Sequence, residues 1–408
     1  MNSVKAGIVG LAGRGIGLLK QHVKMKDIEI LAVCDLYEDR TKEGAQMVKK
    51  AMKNVPFETQ NYKDILEMSE INTLFIFCSW EDHVKVAVEA MEKGIAVGLE
   101  VGGAYSVEDC WAIVDAYEKT GTPIMMLENC CYGQYELMVL NMVRQGLFGD
   151  VVHCAGGYQH DLRKEITHGK ENRHYRLQNY LTRNCENYPT HELGPISKIL
   201  DINRGNLMVS LTSTASCAKG LRQYINDGKT SNPELKDVEF KQGDIITTVI
   251  KCLNGETITL TLDTTLPRSY SRGFTIRGTK AMYQEDNNLL FKDGLPIVYE
   301  FYAKPLWNNG RRYARKYAHP IWKWFKKKGV RGGHGGMDYL VLRAFIEALQ
   351  NGTYMPIDAY DTASWMVITP LSEQSILNGS APQNIPDFTR GKYLNRTEKA
   401  EGLYNIDK

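Results

Sequence analysis

The sequence predicts an α/β protein with an N-terminal doubly wound parallel sheet and a C-terminal α+β domain built on a large open, mostly antiparallel sheet. Two observations support this prediction. In the first 128 residues, short apolar runs alternate with amphipathic segments of helical spacing, which is typical of parallel strands joined by helices. From about residue 207 to residue 291, strand-forming segments predominate and turn signals such as Asn254-Gly255 and Asp293-Gly294 separate them. We therefore predict two domains, residues 1–128 and residues 129–408.

The elements of the first domain follow from its apolar periodicity. Buried parallel strands are predicted at residues 5–9, 28–34, 73–78, 96–100 and 123–127. Helices are predicted between them at residues 15–26, 40–52, 83–93 and 107–119. Because each pair of parallel strands needs a crossover, the helices are expected to cover the sheet.

The second domain mixes both kinds of element. Helices are predicted at residues 133–145, 191–203, 338–350 and 358–378, and strands at residues 150–161, 207–213, 245–253, 257–264, 274–278 and 289–291. An insert at about residues 300–333 interleaves lysines and arginines with tryptophans and tyrosines. We interpret this insert as a solvated amphipathic excursion or a contact between subunits, because the rest of the chain shows no nucleic-acid-binding motif.

Composition excludes several classes of protein. A chain of 408 residues with 43% apolar and 24% charged residues is typical of a soluble protein of two domains. The net charge of +2 gives no reason to expect a nucleic acid or a membrane as partner. The first residues lack the pattern of a secretory signal, so we expect a cytoplasmic protein. The nine cysteines form no C-x-x-C pair, which favours buried thiols over a metal site or a disulfide framework.

A glycine-rich turn after the first strand predicts a dinucleotide site. Gly10, Ala12 and Gly15 fit the pattern G-x-A-x-x-G, with Gly13-Arg14 inside it. The glycines permit a tight turn and close packing, and the helix N-terminus offers N–H groups to a pyrophosphate. Asp35 ends the second strand, where a carboxylate bonds a ribose 2′-hydroxyl, so NAD is favoured over NADP even though Arg40 lies nearby.

Further cofactor contacts are expected where later strands end, because ligands of such sheets bind at the carboxyl ends of the strands. The residues that lie there are Trp80, His83, Glu100, Val101, Glu128 and Asn129. His83 has the alternative role of capping its helix.

Several strings together resemble the glucose–fructose oxidoreductase and inositol dehydrogenase (Gfo/Idh/MocA) superfamily, and within it glycoside hydrolase family 109, the NAD-dependent α-N-acetylgalactosaminidases and related hexosaminidases. The strings that carry the resemblance include Trp80-Glu81-x-His83, Leu127-Glu128-Asn129, Tyr158-x-His160-Asp161, Tyr188-Pro189-Thr190-His191 and Gly333-His334-Gly335-Gly336-Met337-Asp338. They run in order along nearly the whole chain, which makes them more specific than any single motif.

The resemblance implies roles for individual residues. Its NAD-contacting positions match Gly13, Arg14, Asp35, Trp80, His83, Glu100, Val101 and Asn129. Its substrate-contacting positions match Tyr158, Arg176, Tyr188, Pro189, Thr190, His191 and Tyr270, to which we add His160. Dehydrogenases of the superfamily usually carry Glu-Lys-Pro after the fifth strand, whereas this chain has Glu100-Val101-Gly102, as in the glycosidase family. Two departures from the glycosidase pattern are Glu192, which replaces a glycine, and the segment 183–187.

The implied reaction is hydrolysis without net redox change. Hydride leaves C3 of the sugar for NAD, the resulting ketone acidifies the C2 hydrogen, and loss of that proton expels the anomeric group. Water then adds and the hydride returns. Tyr158, His191 and Tyr188 are the candidate proton-transfer residues, and Arg176 is expected to orient the sugar or stabilise negative charge. We favour Tyr158 as the C2 base and His191 at the C3 hydroxyl, with the exchange of these roles left open.

Structural interpretations compete at several of these residues. Tyr188 could only pack, His191 could cap its helix, Tyr270 could belong to a core or an interface, and His334 is expected to shape a turn or a lid rather than to perform catalysis. Two other functions also remain open at this point, namely an NAD-dependent sugar or cyclitol dehydrogenase and a non-catalytic NAD-binding sensor. An open sheet with an apolar face predicts a homo-oligomer, and the expected partner is a small-molecule or oligosaccharide glycoside.

Overall fold

The computed structural model describes residues 3–169, 173–230 and 232–407. Strands are numbered in chain order as β1 Val4–Val9, β2 Ile28–Cys34, β3 Phe57–Thr59, β4 Thr73–Ile76, β5 Ala96–Leu99, β6 Ile124–Met126, β7 Val151–Gln159, β8 Met208–Ala215, β9 Ile245–Cys252, β10 Thr257–Asp263, β11 Thr275–Gly278, β12 Ala281–Gln284, β13 Leu289–Lys292 and β14 Gln383–Asn384. Helices are numbered α1 Gly13–His22, α2 Glu38–Met52, α3 Tyr62–Leu66, α4 Trp80–Glu92, α5 Val107–Thr120, α6 Gln134–Arg144, α7 Arg163–Thr167, α8 Arg176–Thr182, α9 Thr190–Ile199, α10 Gly220–Asn226, α11 Val298–Phe301, α12 Gly310–Lys316, α13 Pro320–Lys328, α14 Met337–Asn351, α15 Ala359–Met366 and α16 Ile368–Leu377.

The chain forms two compact units. Unit 1 comprises Met1–Tyr132, Pro320–Ala363 and Thr397–Lys408, and unit 2 comprises Gly133–His319 and Ser364–Arg396. Two late segments of the chain thus belong with the N-terminal sheet. The grouping differs from the predicted division at residue 128, because unit 1 also contains two segments from the second predicted domain. The two domains with a boundary at residue 128 stay a prediction.

Unit 1 is built on a six-stranded sheet of order β3-β2-β1-β4-β5-β6, in which every pairing is parallel. The strand order reverses between β1 and β4, which creates the crevice where such sheets bind dinucleotides. Residues such as Ile8, Val33 and Phe75 are fully buried, as strands covered on both faces require. The doubly wound sheet predicted from the sequence is confirmed.

The later segments of unit 1 complete its core. Phe345 of α14 meets Phe75 of β4 edge-to-face, with ring centroids 5.4 Å apart. On α13, Ile321 and Phe325 are fully buried, whereas Lys326, Lys327 and Lys328 are exposed. This part of the basic and aromatic insert is therefore an amphipathic helix whose apolar side belongs to the core of unit 1.

Unit 2 is built on an eight-stranded sheet of order β13-β12-β11-β7-β10-β9-β8-β14. Among the described strands of this sheet, β7 and β10 pair in parallel and the other pairings are antiparallel. Burial alternates along β9 and β10, so one face of the sheet is covered. The large, mostly antiparallel sheet is thus confirmed as well.

Boundaries and short elements depart from the sequence-based expectations. The helix expected at residues 191–203 ends at Ile199, and Asp201 and Asn203 take positive φ values of 51° and 65°. The helix expected at residues 358–378 is two helices, α15 and α16. The strands β3, β12 and β14 and the helices α3, α7, α8 and α10 to α13 were not expected; all except the nine-residue α13 span seven residues or fewer. Periodicity is weakest over such lengths.

Within the residues that the structure describes, no helix combines the length and the hydropathy needed to cross a bilayer.

Candidate functional site

The turn after β1 has the geometry that its glycines predict. Gly10 has a φ of +92°, and a Cβ atom there would lie 2.5 Å from the backbone nitrogen of Cys78. A Cβ atom on Gly15 would lie 2.0 Å from the carbonyl oxygen of Gly10. By contrast, a Cβ atom on Gly13 would meet nothing within 4 Å, so the space over the first turn of α1 is open.

The N-terminus of α1 suits an anionic ligand. Ala12 is the N-cap residue, and its methyl side chain cannot accept a hydrogen bond from the first turn. That turn contains no acidic residue, and its first helical hydrogen bond runs from the Ile16 N–H to the Ala12 carbonyl. Uncapped N–H groups and the positive end of the helix dipole favour a phosphate here.

Asp35 connects the glycine turn to the end of β2. One carboxylate oxygen accepts from the Leu11 N–H at 2.7 Å, and the other accepts from the Tyr37 N–H at 3.0 Å. Two carboxylate oxygens offer about four acceptor positions, which leaves capacity for ribose hydroxyls. The Arg40 guanidinium lies 3.8 Å from Asp35. Arg40, the sequence feature that favoured NADP, is therefore close enough to pair with this carboxylate.

Trp80 and Val101 meet at neighbouring strand ends. The Trp80 indole N–H donates to the Val101 carbonyl at 3.1 Å. A Cβ atom on Gly102 would lie 2.3 Å from the Trp80 ring, so the residue after Val101 has to be small. The sequence placed Trp80 and Val101 near the cofactor but did not indicate that they bond to each other.

His83 is a buried neutral imidazole. Its Nε2 lies 3.1 Å from the Cys78 carbonyl, and burial lowers its pKa to about 4. A neutral ring that donates from Nε2 leaves Nδ1 as an acceptor, and Nδ1 has no hydrogen-bond partner within the described residues. This buried acceptor is consistent with a role toward a ligand.

Three predicted cofactor residues belong to one charged group, which we call the Arg14 cluster: Arg14, Glu100, Asn129, His334 and Asp338. Arg14 Nε lies 3.1 Å from Glu100, and Arg14 Nη1 lies 3.0 Å from Asp338. The Asn129 amide donates to the other Asp338 oxygen at 2.8 Å, and His334 Nδ1 lies 2.8 Å from Asp338. Asp338 was not among the predicted site residues, although it ends the last glycine-rich string of the family resemblance.

The pKa values of the two carboxyl groups in the Arg14 cluster are shifted in opposite directions. Burial raises the pKa of Glu100, although the Arg14 charge works against that rise. Burial also disfavours the charged form of Asp338, but the hydrogen bond from His334 and the charge of Arg14 outweigh it and lower the pKa to about 2. The backbone at His334, Gly335 and Gly336 has φ values of 48°, 65° and 102°, which is the tight turn expected there.

Glu128 completes the predicted cofactor residues. It is fully buried, and its Oε1 accepts from the Cys130 N–H at 3.0 Å, at the start of the 3₁₀ turn Asn129–Tyr132. This bond fixes the chain direction just after β6.

The predicted substrate residues of unit 2 also come together, in what we call the ring cluster: Tyr158, His160, Tyr188, His191 and Tyr270. The Tyr158 ring centroid lies 4.4 Å from that of Tyr188 and 5.3 Å from that of His191. Tyr270 is 52% exposed, and its ring lies 5.2 Å from His160. The sequence predicted these contacts only through the family resemblance, because the rings come from three distant segments.

A hydrogen bond joins the two ends of the Tyr158-x-His160 string. The Tyr158 hydroxyl and His160 Nδ1 are 3.0 Å apart, at the carboxyl end of β7. Burial is the main cause of a lowered His160 pKa, and the nearby Arg176 charge contributes. His160 is therefore held as a neutral ring that can accept the phenolic proton.

Arg176 lies buried beside the ring cluster. Its guanidinium carbon is 5.1 Å from the Tyr188 ring centroid, and its Nε lies 2.7 Å from Glu165. Burial opposes the charge of this group, but the surrounding phenols and Glu165 favour it and raise the pKa of Arg176. A cation is thus maintained next to the tyrosines.

Pro189 and Thr190 bring His191 into the first turn of α9. Pro189 is the N-cap residue, and α9 begins at Thr190. Thr190 is fully buried, and its hydroxyl has no hydrogen-bond partner within the described part of the chain. A buried hydroxyl without a partner is unusual, and it marks Thr190 as a possible ligand contact.

The segment 183–187 contributes a group that sequence reasoning missed. Glu186 is fully buried, and burial raises its pKa to about 8. One of its oxygens accepts from the Tyr188 N–H at 3.3 Å. Arg183 of the same segment pairs with Glu373 at 2.6 Å. Glu186, within this departure from the family pattern, thus fixes the position of the Tyr188 backbone by accepting its N–H.

Glu192, the other departure, is accommodated within unit 2. Its carboxylate lies 3.2 Å from the Arg272 guanidinium, which also pairs with Glu136 and Glu285. A Cβ atom on Gly156 would lie 2.5 Å from the Cβ of Glu192, so β7 makes room for the larger side chain. Glu192 is therefore paired with Arg272 and shares that guanidinium charge with Glu136 and Glu285.

Comparisons with known proteins identify the family of this chain. The family model described as the glycosyl hydrolase 109 C-terminal domain matches residues 132–395, more than half of the chain. A glycosyl hydrolase family 109 protein of Stenotrophomonas maltophilia is 39% identical over 96% of this chain and 90% of its own length. The α-N-acetylgalactosaminidases of Tannerella forsythia and Shewanella oneidensis are 36% and 38% identical over 96% of this chain, and over 88% and 86% of their own lengths.

Solved structures show the same fold at low sequence identity. Levoglucosan dehydrogenase in complex with NADH and levoglucosan superposes with a TM-score of 0.69 at 14% identity, over 94% of this chain and all of that one. The myo-inositol 2-dehydrogenase of Lactobacillus plantarum gives a TM-score of 0.65 at 14% identity over the same shares. The expected oxidoreductase-like fold is confirmed. The family model and the sequence relatives show that the chain belongs to glycoside hydrolase family 109, a family of glycosidases on a Gfo/Idh/MocA-like fold.

Proposed function

We propose that this glycosidase is an NAD-dependent α-N-acetylgalactosaminidase. The observation that carries the proposal is the ring cluster, in which the Tyr158 hydroxyl is bonded to a neutral His160 beside His191 and the Arg176 cation. Two relatives named α-N-acetylgalactosaminidase, which match 96% of this chain, support the choice of sugar.

The residues of unit 1 fit NAD. The open first turn of α1 would hold the pyrophosphate, because its N–H groups have no side-chain cap. Asp35 would accept from the adenosine ribose hydroxyls, and its negative charge disfavours the extra phosphate of NADP, although Arg40 lies 3.8 Å from it. His83 Nδ1 and Glu100 Oε2 are buried acceptors without a partner in the described part of the chain, as expected where a ligand completes the site.

When bound, NAD would accept a hydride from C3 of the sugar and later return it. Oxidation at C3 acidifies the hydrogen at C2, so a modest base is sufficient to remove it. In this proposal Tyr158 removes the C2 proton while His160 Nδ1 takes up the phenolic proton. His191 accepts the proton of the C3 hydroxyl when C3 is oxidised and returns it when C3 is reduced again. The roles of Tyr158 and His191 are exchangeable on the present geometry, because both rings belong to one cluster.

Arg176 supplies fixed charge to this reaction. Its guanidinium keeps its proton in a buried setting, so it favours both a Tyr158 phenolate and the enolate that forms on loss of the C2 proton. Glu186 supports the site indirectly, because its carboxylate accepts the Tyr188 N–H and so positions the Tyr188 backbone.

The test is turnover of an aryl α-N-acetylgalactosaminide in D₂O without added NAD. The proposal expects release of the aryl group, deuterium at C2 of the product and no net gain in nicotinamide absorbance. Accumulation of NADH in proportion to product would instead indicate a sugar dehydrogenase. Unlabelled C2 would exclude the proton-transfer route, and absence of bound dinucleotide would exclude NAD. A non-catalytic NAD-binding sensor would show no turnover at all.

A further inference from the structure

The Arg14 cluster places two carboxylates on one guanidinium. Glu100 and Asp338 both contact Arg14, at 3.1 and 3.0 Å, and their side chains are only 9% and 4% exposed. Asp338 is also bonded to Asn129. The residue after Glu100 is Val101, which adds no positive charge. The two acidic groups therefore exceed the single permanent positive charge that they share, that of Arg14, because His334 at 2.8 Å from Asp338 carries a charge only when it is protonated.

The position of these groups in the sheet indicates which part of a dinucleotide they would face. Asp35 follows β2 and marks the half of the sheet that would bind the adenosine ribose. Glu100 follows β5 and Asn129 follows β6, in the other half. That half is left for the nicotinamide mononucleotide. Glu100 Oε2 is buried and has no hydrogen-bond partner within the described residues, so the protein leaves one acceptor of this carboxylate unused.

We propose that Glu100 and Asp338 make the site select the oxidised dinucleotide over the reduced one. This inference rests on the proposed NAD-dependent function. Oxidised and reduced nicotinamide have nearly the same shape, but the oxidised ring carries a positive charge that the reduced ring lacks. Buried negative charges in the same half of the site therefore stabilise the oxidised form preferentially. A glycosidase that begins and ends each cycle with the oxidised cofactor is kept ready for turnover by such a preference.

The experiment compares Kd values for NAD⁺ and NADH. Full-length protein is freed of bound dinucleotide and titrated with each form by isothermal titration calorimetry. The wild type is expected to bind NAD⁺ more tightly than NADH. The Kd for NADH divided by the Kd for NAD⁺ is expected to fall by about threefold or more in Asp338→Asn. Glu67→Gln is the matched control, because it removes a carboxylate from an exposed ion pair of the same unit and should leave the ratio unchanged.

Other outcomes separate the possible failures. If Asp338→Asn weakens both forms equally, Asp338 only positions Arg14 and Asn129, and the proposed selection is wrong. If the wild type binds neither form, the proposed function itself fails. If Asp338→Asn does not fold, Glu100→Gln makes the same comparison. If the cofactor cannot be removed, the ratio of oxidised to reduced dinucleotide extracted after equilibration with a known mixture replaces the titration, with the same expected fall.

Discussion

At the scale of single residues, the proposed reaction depends on hydroxyl and ring nitrogen atoms that the fold holds close together. Tyr158 is 7% exposed, so its ring is fixed by packing while its hydroxyl is bonded to His160. Removing the hydroxyl alone should therefore separate chemistry from packing.

We expect Tyr158→Phe to lower kcat by on the order of 100-fold or more, because a positioned acid or base contributes about that much. The ring contacts with Tyr188 and His191 remain, so Tm should change little. Turnover of the aryl glycoside and thermal unfolding are the measurements. Tyr302→Phe, at an exposed tyrosine of the same unit, should alter neither. Normal turnover by Tyr158→Phe would remove Tyr158 from proton transfer.

His22 gives a prediction about pH and stability. It is fully buried against Phe75, and burial lowers its pKa from 6.5 to about 4. The unfolded chain therefore binds one more proton than the folded protein between about pH 4 and 6.5, so stability is lost as the pH falls through that range.

His22→Leu should remove this loss. Relative to the wild type, the variant should gain stability as the pH falls from 6.5 to 4, by up to roughly 3 kcal/mol. Urea unfolding at several pH values measures the difference between the two proteins. His168→Leu, at a partly exposed histidine, is the matched control for the loss of an imidazole. An equal pH dependence for wild type and His22→Leu would contradict the assignment.

At the scale of elements, the turn from β1 into α1 depends on backbone that only glycine adopts. Gly10 combines a positive φ with a close approach to the strand β4 end, whereas Gly17 lies within α1 with nothing within 4 Å of an added Cβ. The backbone at Gly10 therefore excludes other residues, whereas Gly17 in the same segment leaves room for a side chain.

Gly10→Ala should destabilise the protein by about 2 kcal/mol or more, because it adds strain at a positive φ and a clash with backbone. It should also abolish dinucleotide binding. Gly17→Ala should stabilise by about 0.5 to 1 kcal/mol, since alanine is the better helix former. Chemical denaturation and calorimetry measure both effects. A harmless Gly10→Ala would show that the turn is not the constrained element described.

Arg272 joins elements within unit 2 through buried charge. It pairs with Glu136 of α6, Glu192 of α9 and Glu285. Arg272→Met leaves buried carboxylates without their partner and should cost about 3 to 5 kcal/mol. The exposed Arg311, changed in the same way, should cost far less. Equal losses in the two variants would refute a structural role for this ion-pair group.

At the scale of the whole molecule, segments distant in sequence complete one core. Helix α13 belongs to unit 1, although it lies nearly 200 residues after β6. Its apolar and basic sides should therefore respond differently to substitution.

Phe325→Ala should cost about 3 to 5 kcal/mol, because it removes a fully buried ring. The double variant Lys326→Glu with Lys327→Glu should leave both stability and turnover near wild type, since these side chains are exposed. Thermal unfolding and steady-state kinetics test the pair. A large loss of turnover in the lysine variant would show that the basic surface takes part in catalysis.

The sequence by itself determined the two kinds of sheet, the glycine-rich turn after β1 and, through the family strings, the members of the ring cluster. It could do so because apolar periodicity and a glycine fingerprint are local properties of the chain. Only the tertiary structure decided that Asp338 meets Arg14 and Asn129, that Arg272 pairs with Glu192 and that the buried Glu186 accepts from the Tyr188 N–H. The pairings of Asp338 and Arg272 join segments up to 324 residues apart, and buried charges find partners by position in space rather than by spacing along the chain.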